Sequence, residues 1–146
     1  MTQAEWKKIM GDNPSQFKGD DLPVEQVSWD TCQKFIEKLN SKTGMKFRLP
    51  SEAEWEYSAK GGENYRFAGS DNEDDVAWYG GNSDKKTHPV GEKKANRYGL
   101  YDMSGNVEEW CEDWYSDNYY KESGNSKNPN PNKSEKIIYE NTKHLM

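Results

Sequence analysis

The sequence has few apolar residues and very few of the side chains that bind soft metals. Hydrophobic residues make up 32% of the chain, whereas globular proteins usually contain roughly 45–50%. The two cysteines, Cys32 and Cys111, lie far apart and match no metal or redox spacing. The two histidines, His88 and His144, are also far apart. This scarcity argues against a zinc site or a histidine-activated nucleophile. We interpret the cysteines as two separate, partly buried thiols, although the sequence alone leaves a disulfide open.

The chain also lacks an excess of basic residues and a long apolar run. Its net charge is −6 and its isoelectric point is near 5.0. We therefore expect no nucleic-acid partner, because binding one requires a basic face that neutralises phosphates. No apolar stretch approaches the roughly 20 residues that cross a bilayer. The N-terminal residues contain no apolar signal core, so the sequence as written predicts a cytoplasmic protein.

Aromatic residues are abundant and offset the shortage of aliphatic ones. The chain has 6 Trp, 9 Tyr and 4 Phe among its 146 residues. Each buried Trp or Tyr removes about 150–250 Å² from water. We therefore expect one domain with an aromatic core and much irregular, polar chain around it.

Three helices are indicated by capping residues and apolar spacing. Residues 2–10 begin with a Thr2–Glu5 capping box, and residues 51–60 begin with the same pattern at Ser51 and Glu54. Between them, Ser28 precedes a helix that ends near Gly44, with apolar residues three or four positions apart: Cys32, Phe35, Ile36 and Leu39. In the third helix the apolar residues are not confined to one face, which predicts that this helix is well buried.

The rest of the chain is predicted to consist of short strands and loops. We expect extended pieces at 24–27, 47–49, 65–67 and 89–91, with no helix between residues 62 and 98. The acidic run at 71–75 is interpreted as a solvated loop, although a cation site is an alternative. After Tyr115 the chain becomes polar and rich in Asn, Lys and Pro, which indicates a tail. Within this tail, residues 137–139 have the composition of one short strand or docking patch.

Three sequence blocks occur in an order that resembles a known family. They are PVEQVSW at 23–29, RLPSEAEWEY at 48–57 and NRYGLYDMSGNVEEW at 96–110. Together they resemble the formylglycine-generating enzymes, also called sulfatase-modifying factors, and their many bacterial relatives. The resemblance implies an irregular, loop-rich α+β fold similar to C-type lectins. It covers residues 1–115 as a partial domain that looks truncated at both ends, followed by residues 116–146 as a polar tail or divergent segment.

The resemblance also implies a structural calcium site in the third block. The matching positions are Asp102, Gly105, Val107 and Glu109, and the family often has asparagine where this chain has Asp102. The residues support this assignment independently, because carboxylates together with the carbonyl oxygens of a turn suit a hard cation such as calcium. The alternative is that Asp102 caps the turn and Glu109 pairs with a basic residue. The tryptophans of these blocks, Trp29, Trp55, Trp110 and Trp114, are interpreted as core and loop anchors.

No catalytic residue is predicted. Enzymes of the family oxidise a substrate cysteine to formylglycine with copper held by a cysteine pair, and the segment that carries this pair does not occur in the sequence. Cys32 and Cys111 do not occupy the catalytic positions, and the glutamates of RLPSEAEWEY are explained by helix capping and the helix dipole. We therefore expect no copper binding and no catalysis by this chain alone. An enzyme completed by a complementary chain remains the competing hypothesis.

The alternative function is a non-catalytic domain that binds a ligand or protein on a lectin-like scaffold. The loops at 65–86 and 115–136 contain Tyr, Trp, Asn and Ser, which are effective contact residues. Missing terminal strands would expose unpaired backbone, which favours a homo-oligomer or a complementing chain. The family is often secreted or periplasmic, so the resemblance and the absent signal core point to different compartments.

Overall fold

The computed structural model describes residues 1–114 and 136–139 of the chain. Within these ranges lie four helices and two strands: α1 Gln3–Met10, α2 Trp29–Thr43, α3 Glu52–Lys60, α4 Glu73–Val76, β1 Glu109–Trp114 and β2 Lys136–Tyr139. The remaining described residues form turns and irregular loops. Among the described residues, no helix combines the length and apolar character needed to cross a membrane.

The three predicted helices are confirmed together with their caps. In α1, Thr2 and Glu5 form the capping box, and Ser51 and Glu54 do the same in α3. The Ser28 side chain accepts a hydrogen bond from the Thr31 N–H at the start of α2. Each of the three helices ends at a glycine in the left-handed conformation. Local sequence therefore fixes both ends of these helices.

Helices α1 and α2 pack through an aromatic pair. The rings of Trp6 and Phe35 stack with centroids 4.9 Å apart and an interplanar angle of 6°. Both side chains are buried, and Trp6 Nε1 donates to Asp12 Oδ1. The apolar face predicted for α2 is therefore the packing face, with Phe35 as its most buried residue.

A second core cluster joins α3 to β1. It contains Trp55, Ala59, Ala68 and Cys111, with Met103 packed against it. Only Trp55 and Ala59 of α3 are buried, whereas Tyr57 is 66% exposed. The prediction that α3 is well buried is therefore wrong, because one face packs on β1 and the other faces solvent.

The short-strand predictions are mostly wrong, because turns replace the expected ladders. Residues 65–67 form no strand, and Phe67 instead pairs with Ser70 in an isolated bridge that closes a turn at 67–70. The N-terminal region has another isolated bridge, between Thr2 and Pro23. No strand is assigned at 24–27, 47–49 or 89–91. By contrast, the predicted strand at 137–139 is confirmed as part of β2, which pairs antiparallel with β1 through an irregular register.

The acidic run at 71–75 overlaps the short helix α4, so the prediction of no helix between residues 62 and 98 is wrong. Helix α4 begins after Asn72, whose side chain accepts from the Asp74 N–H. Asp75 accepts hydrogen bonds from Ser70 and Asn72, and Asp74 accepts from Tyr79 and Asn82. These carboxylates therefore hold the loop together, and hydrogen bonding explains the cluster without a cation.

Candidate metal site

The turn that leads into β1 is built on left-handed backbone conformations. Asp102, Gly105 and Asn106 have φ angles of 56°, 97° and 68°. Aspartate and asparagine tolerate this region better than most residues. Gly105 is required for a second reason, because a Cβ at this position would lie 2.4 Å from the backbone oxygen of Trp78. The turn therefore passes directly against the Trp78 backbone.

Asn106 connects this turn to the backbone of a stacked tryptophan–histidine pair. Its N–H donates to Trp78 O at 2.7 Å, while its side-chain amide both accepts from the His88 N–H and donates to His88 O. The rings of Trp78 and His88 stack with centroids 3.8 Å apart, and Lys93 Nζ lies 4.0 Å from the Trp78 ring centroid. Sequence reasoning missed this role of Asn106, although the residue lies inside the motif.

Three of the four predicted calcium positions line one cavity of about 240 Å³. Asp102, Val107 and Glu109 lie on its wall, and Gly105 lies outside the lining although its carbonyl accepts a hydrogen bond from the Val107 N–H at 3.0 Å. The other lining residues are Met1, Pro23, Val90, Gly91, Tyr101 and Asn106. The fold thus brings the two predicted carboxylates to a common space.

The carboxylate of Glu109 is partly buried. Burial raises the pKa of Glu109, and Asp102 raises it further, while the Trp55 hydrogen bond and the N-terminal ammonium lower it. The indole of Trp55 donates to Glu109 Oε2, and Asp102 Oδ2 accepts from the Gly91 N–H at 2.8 Å. A buried carboxylate beside a second carboxylate is stabilised as an anion when a cation lies between them.

The donor set of this cavity fits a hard cation. Two carboxylates and the backbone oxygens of a turn are ligands that calcium accepts, with water completing six to eight oxygens. In the part of the chain that the structure covers, no group of three or more His, Cys, Asp or Glu residues converges as a metal cluster. Binding at the 102–109 turn would accordingly depend on backbone oxygens as well as on Asp102 and Glu109.

The two cysteines are free thiols. Cys111 is buried and Cys32 is partly buried. Burial raises the pKa of Cys32 to about 11, and burial together with nearby carboxylates raises that of Cys111 to about 12. Both remain protonated at neutral pH, whereas the thiolate is the form that binds metals and attacks electrophiles. The prediction of two separate thiols is confirmed, but only Cys32 is partly buried, because Cys111 is completely buried.

The tryptophan anchors and the RLPSEAEWEY glutamates have structural contacts. Trp29 Nε1 donates to Cys111 O, and Trp110 Nε1 donates to Val27 O, which ties β1 to the start of α2. Trp55 is buried in the core cluster, and the Trp114 side chain lies outside the described residues. Glu54 closes the capping box and accepts two hydrogen bonds from Arg48, and the other glutamates have contacts of their own: Glu56 with Lys60, and the Glu52 N–H with Asp113.

This arrangement agrees with a family match that extends over most of the chain. Residues 1–142 match the family described as "Sulfatase-modifying factor enzyme 1-like domain". The chain belongs to the formylglycine-generating-enzyme, or sulfatase-modifying factor, family. The match continues beyond residue 115, where the sequence analysis placed a domain boundary that stays a prediction.

The chain resembles several members of this family and covers only part of each. It is 36% identical to the chaperone protein LppX of Paenibacillus barcinonensis over 80% of this chain and 60% of the relative. It is 33% identical to the formylglycine-generating enzyme of Streptomyces coelicolor over 82% of this chain and 41% of that enzyme.

Solved structures share the fold. Treponema denticola variable protein 1 has a TM-score of 0.76 and 36% identity, covering 80% of this chain and 61% of the other. PvdO from Pseudomonas aeruginosa has a TM-score of 0.68 and 29% identity, covering 83% of this chain and 57% of the other. The chain therefore has the family fold over about three fifths of the length of these structures.

Proposed function

We propose that this chain is a calcium-stabilised domain of the formylglycine-generating-enzyme family that does not oxidise cysteine by itself. The observation that carries the calcium assignment is the shared cavity of Asp102, Val107 and Glu109. The partly buried Glu109 carboxylate has a raised pKa, so an ion that neutralises it would stabilise the folded state. Gly105 and Val107 would contribute carbonyl oxygens, as the family motif implies. On the lectin-like scaffold that the motifs imply, the ion would fasten the turn before β1.

Calcium titration of the thermal unfolding transition tests this assignment. We expect the unfolding midpoint to fall on chelation and to recover with calcium, because a ligand that binds only the native state stabilises it. In Glu109→Gln, which keeps an acceptor for Trp55 Nε1, calcium should no longer raise the midpoint. Glu108→Gln is the matched control, since Glu108 is exposed and its variant should respond as the unaltered chain does. Equal calcium responses in both variants, or no response in any protein, would refute the site.

The absence of independent catalysis is proposed from the thiol chemistry. Copper chemistry of the family type needs two converging soft thiolates. The raised pKa values of Cys32 and Cys111, about 11 and about 12, keep both thiols protonated at neutral pH. Copper binding would therefore have to displace a proton from each thiol, which weakens the apparent affinity for the metal.

Incubation with copper and a cysteine-containing peptide tests this part of the proposal directly. Mass spectrometry of the peptide should detect no formylglycine above a control without protein. The double variant Cys32→Ser/Cys111→Ser should give the same result. Product that is formed by the unaltered chain and lost in the double variant would overturn the proposal and assign the chemistry to these thiols.

A second candidate function is protein binding at an exposed aromatic surface. The relative LppX is named a chaperone protein, and this chain exposes Tyr57, Tyr98 and Tyr101 on α3 and on the loop at 96–101. In the loop at 65–86, Tyr65 is exposed. Trp78 is partly buried and stacks on His88, and Tyr79 is partly buried and donates a hydrogen bond to Asp74. The greater exposure of Tyr57 and Tyr98 therefore favours a contact surface centred on these two residues over one on the 65–86 loop.

Suppression of aggregation of a reduced, unfolded protein tests this second candidate. Insulin B chain released by reduction is a suitable probe. A binding surface at Tyr57 and Tyr98 predicts that Tyr57→Ser/Tyr98→Ser loses most of the suppression. Tyr65→Ser, which alters another exposed tyrosine, should retain it. Equal suppression by both variants would argue against this surface.

A further inference from the structure

Tyr57 and Tyr98 form a solvent-accessible pair of phenols. Tyr98 Oη donates to Tyr57 Oη at 3.2 Å, and the ring centroids are 6.0 Å apart with an interplanar angle of 43°. The two residues are 66% and 48% exposed. Such a pair keeps the ring carbons next to the hydroxyl groups close together while small reagents can reach both rings.

The surrounding framework holds the two rings together. Tyr57 lies on α3, and Asn96 Nδ2 donates to Ser58 O and Ala59 O at the end of that helix. The same side chain accepts from the Tyr98 N–H through Oδ1. A Cβ at Gly62 would lie 3.3 Å from Tyr98 Oη, so this glycine leaves room for the phenol. The pair is therefore positioned by a buried amide and a close backbone approach.

We propose that Tyr57 and Tyr98 are an oxidative cross-linking site at which a peroxide-dependent one-electron oxidant forms an intramolecular dityrosine. Each phenol gives one electron and one proton to the oxidant. The two phenoxyl radicals then join through a carbon–carbon bond between the ring positions next to the hydroxyls. The ring hydrogens at these carbons shift to the oxygens and restore both phenols. The pair loses two hydrogen atoms in total, and hydrogen peroxide accepts them to become two water molecules.

The cross-link would join α3 to the loop at 96–101. Forty-one positions separate the two tyrosines in sequence, so the bond closes a long loop of the unfolded chain. A covalent bond that restricts the unfolded chain stabilises the folded state when it introduces no strain. Oxidation of the folded protein should accordingly raise its thermal unfolding midpoint.

Peroxidase with limiting hydrogen peroxide tests the site on the purified monomeric full chain. Mapping by protease digestion and tandem mass spectrometry should identify a Tyr57–Tyr98 link as the main product in the monomer fraction. The link should disappear in Tyr57→Phe and in Tyr98→Phe, which keep the rings. Tyr65→Phe and Tyr101→Phe are matched controls, because both residues are exposed, and the link should persist in them.

Two outcomes would overturn the proposal. One is a Tyr57–Tyr98 link no more abundant than links that involve Tyr65 or Tyr101. The other is an equal yield of the link when the chain is oxidised in denaturing urea, because the folded geometry would then contribute nothing. A normal unfolding transition in the two phenylalanine variants before oxidation ensures that loss of the link reflects loss of the phenol.

Discussion

The helices and the loops of this molecule are held by different kinds of interaction. Helices α1 and α3 are closed by capping boxes whose partners are three residues apart, Thr2 with Glu5 and Ser51 with Glu54. The loop between α1 and α2 is instead organised by the buried side chain of Gln3, which bonds to chain as far as Pro23. Local signals therefore define the helices, whereas a buried side-chain amide organises this loop.

Gln3 and Asn96 each connect a helix to a loop through a buried side-chain amide. Gln3 donates to Phe17 O and Pro23 O and accepts from Asn13 and the Gly19 N–H. Asn96 likewise joins the carbonyls at the end of α3 to the loop that follows it. Buried polar groups with all partners present fix one arrangement, and loss of one partner leaves others unsatisfied.

The largest effect is expected for Gly105→Ala, which disrupts a loop held by tertiary contacts. The added Cβ would lie 2.4 Å from the Trp78 backbone oxygen, so the turn must move away from Trp78. We expect a loss of about 4 kcal/mol in the free energy of unfolding, typical of severe backbone disruption. Urea unfolding measures this loss.

Gly11→Ala is the matched control for that substitution. Gly11 ends α1 at a φ of +90°, and a Cβ there would contact nothing within 4 Å. The left-handed conformation alone costs about 1 kcal/mol for an L-residue. If the two alanine variants lose the same stability, the close approach of Gly105 to Trp78 has no energetic importance.

Gln3→Leu should have the next largest effect. Leucine keeps the helix propensity of α1 but leaves Phe17 O, Pro23 O and the Asn13 side chain without this partner. Unsatisfied buried groups cost about 1–3 kcal/mol each, so we expect a total loss of about 3 kcal/mol. Gln33→Leu, which alters a bond to Glu112 near the surface, should lose much less. Hydrogen exchange of the amides at 13–25 should accelerate only in Gln3→Leu, and equal exchange in both variants would contradict this role.

The sequence predicts the helices well because their determinants are neighbours in the chain. Gly11, Gly44 and Gly61 end helices where the patterns place them. The predictions of strands at 47–49 and 65–67 were wrong because a composition typical of strands does not specify a pairing partner. Phe47 is held instead by the side chain of Asn40, which bonds to both its N–H and its carbonyl.

The proximity of the two carboxylates at the candidate metal site was predictable for the same reason, whereas the calcium assignment rests on the family resemblance and stays a prediction. Asp102 and Glu109 are close in sequence, so a turn motif brings them together without further information. The hydrogen bonds between Asn106 and His88 and between Trp55 and Glu109 join residues that are far apart in sequence. Such contacts give no periodic or local signal, and therefore sequence reasoning missed them.

A smaller effect is expected for Ser51→Ala, which tests the helix side. The Ser51 hydroxyl accepts from the Glu54 N–H at the start of α3. Removal of a capping side chain costs about 1 kcal/mol. Ser41→Ala is the control, because Ser41 is exposed within α2 and alanine is favourable in a helix. A loss in Ser51→Ala as large as that in Gln3→Leu would erase the distinction between local and long-range determinants.

The smallest effect is expected for Arg48→Met, through the pH dependence of the α3 cap. The pKa of Glu54 is lowered from 4.5 to about 2, first by hydrogen bonds from Arg48 and then by the Ser51 N–H. A carboxyl with a lowered pKa contributes stability above its unfolded pKa, and this contribution is lost as the pH falls toward about 2. Because both side chains of the pair are exposed, the contribution at neutral pH is small.

Carbon-13 NMR titration of the glutamate carboxyls measures this effect at the residue itself. In Arg48→Met the pKa of Glu54 should rise but stay below its ordinary value, because the Ser51 N–H still donates to it. Lys60→Met is the control, since Lys60 pairs with Glu56. An equal shift of Glu54 in both variants would mean that general surface charge, and not the Arg48 contact, sets its pKa. A shift confined to Arg48→Met would show that even this exposed pair acts locally, as the other determinants of the helices do.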